Sequence, residues 1–321
     1  MSHVESPPVR HQDPIQVEPL PGPLGARIGG IDLKTIGPRE MQTLRKIWLD
    51  HMLLVFPGQE LSPDDLVRFA TLFGRPIASC DINQGKFKDP AYELDLLPPQ
   101  ITAVSNIKQG GQSIGVLGDA EVVWHCDHSY LEHPAAMRML YGAEVPPVAA
   151  GGNTGFMNCC AAYDALPAPM KRRLSGLTIK HDNDISVTME VREGAKLRDI
   201  VHSPGPSHPI ISTHPETGHN SLFLGRRSRA YVNGMGLEDS EALLDELWAH
   251  CTQDRFCCEH EWSVGDLVLW DNRCTMHRRS SFDPQRRRLL LAAQVEGHRP
   301  CEAPDALARP AHPRFALAGR Q

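Results

Sequence analysis

The chain is expected to fold as a mainly β protein, a β-sandwich or jelly roll with helices packed on one outer side, in a single domain over residues 1–321. Three observations predict it. Short apolar runs with strand character recur at irregular spacing, helical stretches are few, and the residues best suited to hold a metal ion sit at the ends of strands. Two of those residues, His125 and Asp127, lie far along the chain from the third, His277, so a domain boundary between them would divide the site.

Residues 1–19 are polar and proline-rich, carry no apolar segment, and read as a flexible tail. From Leu24 to Leu33 apolar residues alternate between glycines, as in a strand pair entering a sheet. Arg39 to Asp50 has apolar residues near helical spacing, and Ser62 to Phe73 opens with a capping serine and an acidic first turn, Asp64 and Asp65. His51 to Phe56, between these helices, is a short strand. Residues 79–118 dissolve into Gly, Gln, Asn and Pro around one clear strand, Ile101 to Ile107, and are expected to form a lid over the site, where substrate choice would sit.

Strands are expected at Met137 to Ala143 and Leu177 to His181, on either side of one helix from Asn158 to Leu174. Ile210 to Thr213 and Ser221 to Leu224 form two strands joined by a turn with Pro215 and Gly218 at its corners. The amphipathic helix Glu238 to Gln253 precedes the strand Leu267 to Trp270, which delivers the chain to His277, and Arg288 to Val295 is a further strand. Residues 301–321, rich in proline, alanine and arginine, read as a second tail.

The chemistry is concentrated in Trp124-His125-Cys126-Asp127 and in the run from Trp270 to His277. In an extended chain residues i and i+2 project to the same side, so His125 and Asp127 can grip one ion, and His277 would close the face. Two imidazoles and one carboxylate on one face, with coordination positions left open for substrate and O2, are the ligand set of non-heme Fe(II) oxygenases. Such a set leaves a divalent cation with net positive charge, which attracts an anionic co-substrate. Arg288 is placed to take that anion's far end, because a guanidinium pairs with a carboxylate through two parallel hydrogen bonds. The run Arg286-Arg287-Arg288 leaves Arg287 as the alternative. Asn106, Arg226 and Arg227 are further candidates to reach the site from other walls, whereas His128 would point away from Asp127. Trp124 and Trp270 are expected in the core.

Composition narrows the partners. A net charge of -6 gives no reason to expect nucleic acid or an anionic membrane, and no apolar run has the length of a membrane span. Nine cysteines, two pairs of them adjacent and none in a Cys-x-x-Cys pattern, point to reduced, buried thiols and a cytoplasmic protein. The expected partner is a small-molecule substrate.

Six segments in order carry a resemblance: Phe56-Pro57-Gly58-Gln59, Trp124-His125-Cys126-Asp127, Gly151-Gly152-Asn153-Thr154, Ala161-Ala162-Tyr163-Asp164-Ala165-Leu166, His214-Pro215-Glu216-Thr217-Gly218 and Trp270-Asp271-Asn272-Arg273. From about Leu20 to Pro300 the sequence resembles the Fe(II)/2-oxoglutarate-dependent dioxygenases typified by taurine dioxygenase and the 2,4-dichlorophenoxyacetate and related aryloxyalkanoate dioxygenases. The resemblance implies a double-stranded β-helix, or jelly-roll, core with Fe(II) held by His125, Asp127 and His277. It implies 2-oxoglutarate bound through its far carboxylate by Arg288 and Thr154, and O2 consumed as 2-oxoglutarate is converted to succinate and CO2 while a small organic substrate is hydroxylated, desaturated, cyclised or cleaved. A homo-oligomer, dimer or tetramer, is implied in the same way.

Two departures bear on the substrate. Taurine dioxygenase has a substrate-binding arginine four residues beyond its co-substrate arginine, where this chain has Ala292, and a histidine where this chain has Ser79. Burying a sulfonate without donors is costly, so a substrate other than taurine is expected. Leu289, Leu290, Leu291 and Ala292 would make the inward face of that strand apolar. Two other readings use the same fold: a Zn-dependent hydrolase or lyase on the same three ligands, for which Arg288 has no role, and a non-catalytic jelly-roll binding protein.

Overall fold

The structure is a computed structural model that describes residues 15–78 and 97–313. Its large sheet has eight strands, in the spatial order Gln16–Pro19, Ala26–Gly29, Leu53–Phe56, Leu267–Asp271, Met137–Glu144, Leu289–Val295, Thr102–Ser105 and Val116–Leu117. A smaller sheet of four is ordered Cys257–His260, Thr154–Asn158, Thr275–Arg279 and Val122–His125. Most pairings are antiparallel, as short connections and alternating faces favour. Between the two sheets lie Leu53, Val55, Leu140, Val268, Trp270, Leu290 and Ala292 from the large one and Phe156 from the small one, which is the interior of a jelly roll.

The outer faces are both covered, a departure from helices on one side. The helices Pro38–His51 and Pro63–Thr71 bury Leu44, Trp48, Leu66 and Phe69 against Leu54, Met139, Leu269 and Leu291 on the large sheet. Burial of each such side chain contributes about 1.5–3 kcal/mol. The long helix Leu237–Cys251 instead joins Met157 and Met276 behind the small sheet, with strands Ile211–Thr213 and Asn220–Leu222 in the same cluster.

Local chemistry sets the element ends. Ser62 caps Pro63–Thr71 as expected, its Oγ accepting from Asp65 N at 3.1 Å while Asp65 Oδ2 accepts from Ser62 N at 3.0 Å. The single helix expected from Asn158 to Leu174 is two helices, Cys159–Asp164 and Ala168–Leu174, because Pro167 has no N–H to continue the ladder. Both expected tails are shorter. Gln16–Pro19 pairs with Ala26–Gly29. Residues 301–313 are tied down by Thr213 N to Cys301 O at 2.8 Å and Asn220 Nδ2 to Ala306 O at 2.7 Å. Of the expected lid over 79–118, residues 79–96 lie outside the described residues; the remainder supplies Val116 and Leu117 to the wall of a cavity.

Candidate active site

Strand pairing builds the ligand trio. His277 on Thr275–Arg279 stands opposite His125 at the end of Val122–His125, so the two rings lie side by side with centroids 4.1 Å apart. His125 donates from Nδ1 to Val123 O at 2.8 Å, which leaves Nε2 turned toward the cavity. Asp127 lies two residues past the strand end, where the chain turns. Its backbone is clamped by a single side chain: Asn272 Oδ1 accepts from Asp127 N at 3.0 Å, and Asn272 Nδ2 donates to Asp127 O at 3.0 Å and to Ala135 O at 2.8 Å.

The clamp places Asp127 Oδ1 3.4 Å from His125 Nε2 and Oδ2 3.4 Å from His277 Nε2. The donor atoms of the trio all lie within 4.8 Å of one another, and Asp127 Oδ2 is buried without a hydrogen bond. Donors this close suit a divalent cation bound at roughly 2.0–2.2 Å from each. Burial pushes the Asp127 carboxyl up, but the charge of Arg138 beside it outweighs this and holds it well below the usual carboxylate range. Burial pushes His277 well below the usual imidazole range. An ionised carboxylate and a neutral imidazole are the protonation states that ligate metals.

The trio opens on a cavity of about 260 Å³, also lined by Thr154, Arg279 and Arg288. Along Leu289–Val295 the faces alternate: Leu290 and Ala292 join the interior, while Leu289 and Leu291 pack toward the helices. The inward face is therefore not a continuous leucine run. It begins at Arg288, 1 % exposed, and ends at Gln294. Arg288 is fixed through its backbone, Ser105 Oγ donating to its carbonyl at 2.7 Å and Asn106 Oδ1 accepting from its N–H at 3.0 Å. Its Nη2 donates to Gly152 O at 3.3 Å, whereas Nε and Nη1 are buried with no hydrogen-bond partner. Burial, then the neighbouring Arg279, pushes its guanidinium down to about 9, so it stays charged at neutral pH. Gly152 has φ +86, and a Cβ there would come 3.4 Å from Arg288 Nε. Thr154 Oγ1 accepts from Trp262 Nε1 at 2.9 Å, which leaves its own proton to donate.

A buried, charged guanidinium with two unpartnered donors lines the same cavity as a two-His, one-carboxylate trio, an arrangement with the chemistry to receive an anion that also reaches a metal. Residues 16–294 match the family described as taurine catabolism dioxygenase TauD, TfdA family. The chain belongs to the TauD/TfdA family. It is 33% identical over 298 residues to the alpha-ketoglutarate-dependent 2,4-dichlorophenoxyacetate dioxygenase of Cupriavidus pinatubonensis, covering 87% of this chain and 96% of that protein. It is 31% identical over 297 residues to the (S)-phenoxypropionate/alpha-ketoglutarate-dioxygenase of Sphingobium herbicidovorans, covering 88% and 94%. The solved structure of AAD-2 in complex with Mn(II) and N-oxalylglycine superposes with a TM-score of 0.71 at 27% identity, covering 90% of this chain and 99% of that one. As a TauD/TfdA protein the chain is an oxidoreductase, a dioxygenase dependent on 2-oxoglutarate and O2.

Other expected site residues fall elsewhere. Arg287 points to solvent and pairs with Glu144 at 2.8 Å, because neighbours on a strand face opposite ways. Asn106 does not aim into the cavity; its amide donates to Arg286 O at 2.9 Å and buttresses Arg288. Arg226 lines the cavity, but its Nη1 donates to Ile185 O at 2.9 Å and Ser186 O at 2.7 Å. Arg227 pairs with Glu241 and Asp245 on the surface. Ala292 is buried between the sheets, and Ser79 lies outside the described residues. His128 is buried at φ 57 outside the trio, and Trp270 is core while Trp124 is half-buried under Arg278. Sequence reasoning missed Arg279, which donates to Leu117 O and Ala120 O, and the wall formed by Asp182, Ser186, Val187 and Arg192. It also missed Arg138, whose signal was a charge near the start of the otherwise apolar run from Met137 to Ala143.

Proposed function

We propose that the chain is an Fe(II)-dependent member of this dioxygenase class, with iron held by His125, Asp127 and His277. Arg288 and Thr154 take the far carboxylate of 2-oxoglutarate. The observation that carries this reading is the fully buried Arg288 guanidinium, with Nε and Nη1 unpartnered, on the same cavity as the trio. A buried charge of that kind calls for an anion that supplies hydrogen bonds as well as charge.

Iron bound there would couple the decarboxylation of 2-oxoglutarate to succinate and CO2 with oxidation of a substrate C–H bond. The chain's own residues set the conditions. His125, fixed by its bond to Val123 O, presents Nε2 in one orientation, and Asn272 holds Asp127 in place before any ligand arrives. Thr154 donates its hydroxyl proton to an anion lying against Arg288. Val116, Leu117, Leu140 and Val187 give the cavity apolar walls.

The substrate is a small organic molecule, and the named relatives make phenoxyalkanoates the first class to test. One domain carries the function, because the large sheet interleaves residues 16–29 with residues 267–295. A cytoplasmic location accords with the buried free thiols and with the finding that no helix among the described residues is long and apolar enough to cross a membrane. A homo-oligomer with no nucleic-acid or membrane partner completes the reading.

The test is anaerobic titration of the metal-free protein with Fe(II) and then 2-oxoglutarate, following the visible charge-transfer band of the chelate. A band that forms in the wild type and is lost in His277→Ala is expected. Its absence from folded protein would favour the zinc hydrolase or the binding protein.

A further inference from the structure

We propose that Arg138 selects the substrate by gripping an anionic group of it, a carboxylate, beside the ligand trio; this rests on the dioxygenase reading above. Arg138 lies on Met137–Glu144, opposite Gln294 on one side and Trp270 on the other, on the face that lines the cavity. Its side chain is 12% exposed. Gln294 Oε1 accepts from Nη1 at 3.0 Å, and Nε stands 3.2 Å from Asp127 Oδ2 without a hydrogen bond between them. The guanidinium is thus anchored by a neutral amide at one corner and turned toward the trio.

Charge balance makes this group informative. The opposite charge it faces is Asp127, and a cation bound by the trio would draw on that same carboxylate, leaving the largely buried Arg138 guanidinium short of compensation. Neighbouring guanidiniums are otherwise engaged. Arg226 donates to Ile185 O and Ser186 O, Arg279 to Leu117 O and Ala120 O, and Arg288 faces the co-substrate end. Arg138 is also where a cation is needed: Gln294, its cross-strand partner, is two residues, about 7 Å, along the inward face from Ala292, which offers only a methyl group. An anion on Arg138 would sit next to the trio. The carbon presented for oxidation is then close to the anionic group, and the rest of the molecule runs toward the apolar wall of Val116, Leu117 and Val187.

The experiment uses full-length protein loaded with Mn(II) and 2-oxoglutarate, in the absence of O2, and isothermal titration with a panel of acids: phenoxyacetate, 2-phenoxypropionate and straight-chain carboxylates, each beside its neutral amide. The wild type is expected to bind at least one acid tenfold or more tighter than its amide. Arg138→Met should lose that preference, Arg138→Lys should recover part of it, and both should keep the wild-type affinity for 2-oxoglutarate within twofold. Acids that bind the wild type no better than amides overturn the proposal, as does a preference retained in Arg138→Met. Equal weakening of 2-oxoglutarate and acid in Arg138→Met also overturns it, since that marks general damage to the site. Failure of 2-oxoglutarate to bind the wild type is read in the first titration; it removes the dioxygenase reading and this proposal with it.

Discussion

The two ends of the cavity are built in different ways. At one end, Arg288 immediately precedes a strand held on both sides by ladder partners, with Ser105 and Asn106 fixing its backbone and Thr154 on a strand of the opposing sheet. At the other end, the wall is the segment from Asp182 to Arg192, a loop closed on itself by Arg192 N to Asp184 O at 2.8 Å and held to the rest by backbone bonds such as Val123 N to Val187 O at 3.2 Å, and by side-chain hooks: Arg226 on Ile185 O and Ser186 O, and Arg229 on Asp182 at 2.9 Å. Ladder register leaves little freedom to the first end, whereas the second can be re-hooked without moving Arg288. On the proposed reading the co-substrate lies against the rigid end, Arg138 takes the anionic group of the substrate beside the trio, and the body of the substrate meets the adaptable end.

The strongest way to break that division is at its centre, where both ends meet. Asp127→Ala should reduce succinate formation to background whatever acid is offered, while far-ultraviolet circular dichroism stays that of the wild type. Next in size, Arg288→Ala should weaken 2-oxoglutarate binding by about 3–5 kcal/mol, the usual result of removing one partner of a buried charged pair, and Arg287→Ala should match the wild type; calorimetry separates the two. Arg226→Ala acts on the other end. It should raise the substrate KM about tenfold, equivalent to about 1.4 kcal/mol, and hasten proteolysis within residues 183–192, with the 2-oxoglutarate KM unmoved. A KM for 2-oxoglutarate that rises equally would show that the two ends are one mechanical unit.

The smallest effect on catalysis comes from a network outside the cavity. Burial pushes Asp271 up, but Arg273 and His214, at 2.6 and 3.0 Å, hold its carboxyl well below the usual range. A depressed carboxyl pKa stabilises the fold above the unfolded value, about 3.9, and that stability is lost as pH falls toward the folded value. Asp271→Asn should therefore lower stability near neutral pH and flatten its decline below about pH 4, as read by urea denaturation across pH.

The ligand trio was legible because its signal is local: His125 and Asp127 are two residues apart, and the run from Trp270 to His277 is compact. The choice between Arg287 and Arg288 was not, since the facing of a strand depends on register with Ser105 and Glu144, far away in sequence. The same reason hid Arg138, whose inward direction becomes evident only opposite Gln294, and Asn106, which holds the backbone of Arg288 across the ladder. Elements were read more faithfully than their partners. Ser62 and Asp65 announced a helix start, while Pro167 went unused as a stop and split one expected helix into two.

Leu289–Val295 is the last described strand in chain order, yet it lies between Met137–Glu144 and Thr102–Ser105 in the middle of the large sheet. During synthesis, neither neighbour can find it until nearly the whole described chain has left the ribosome. Until then the sheet is two fragments with open edges, the kind of intermediate that associates with other copies of itself and draws on chaperones. Expression yield at different growth temperatures should therefore respond to changes in this one strand more than to changes in the cavity it helps to form.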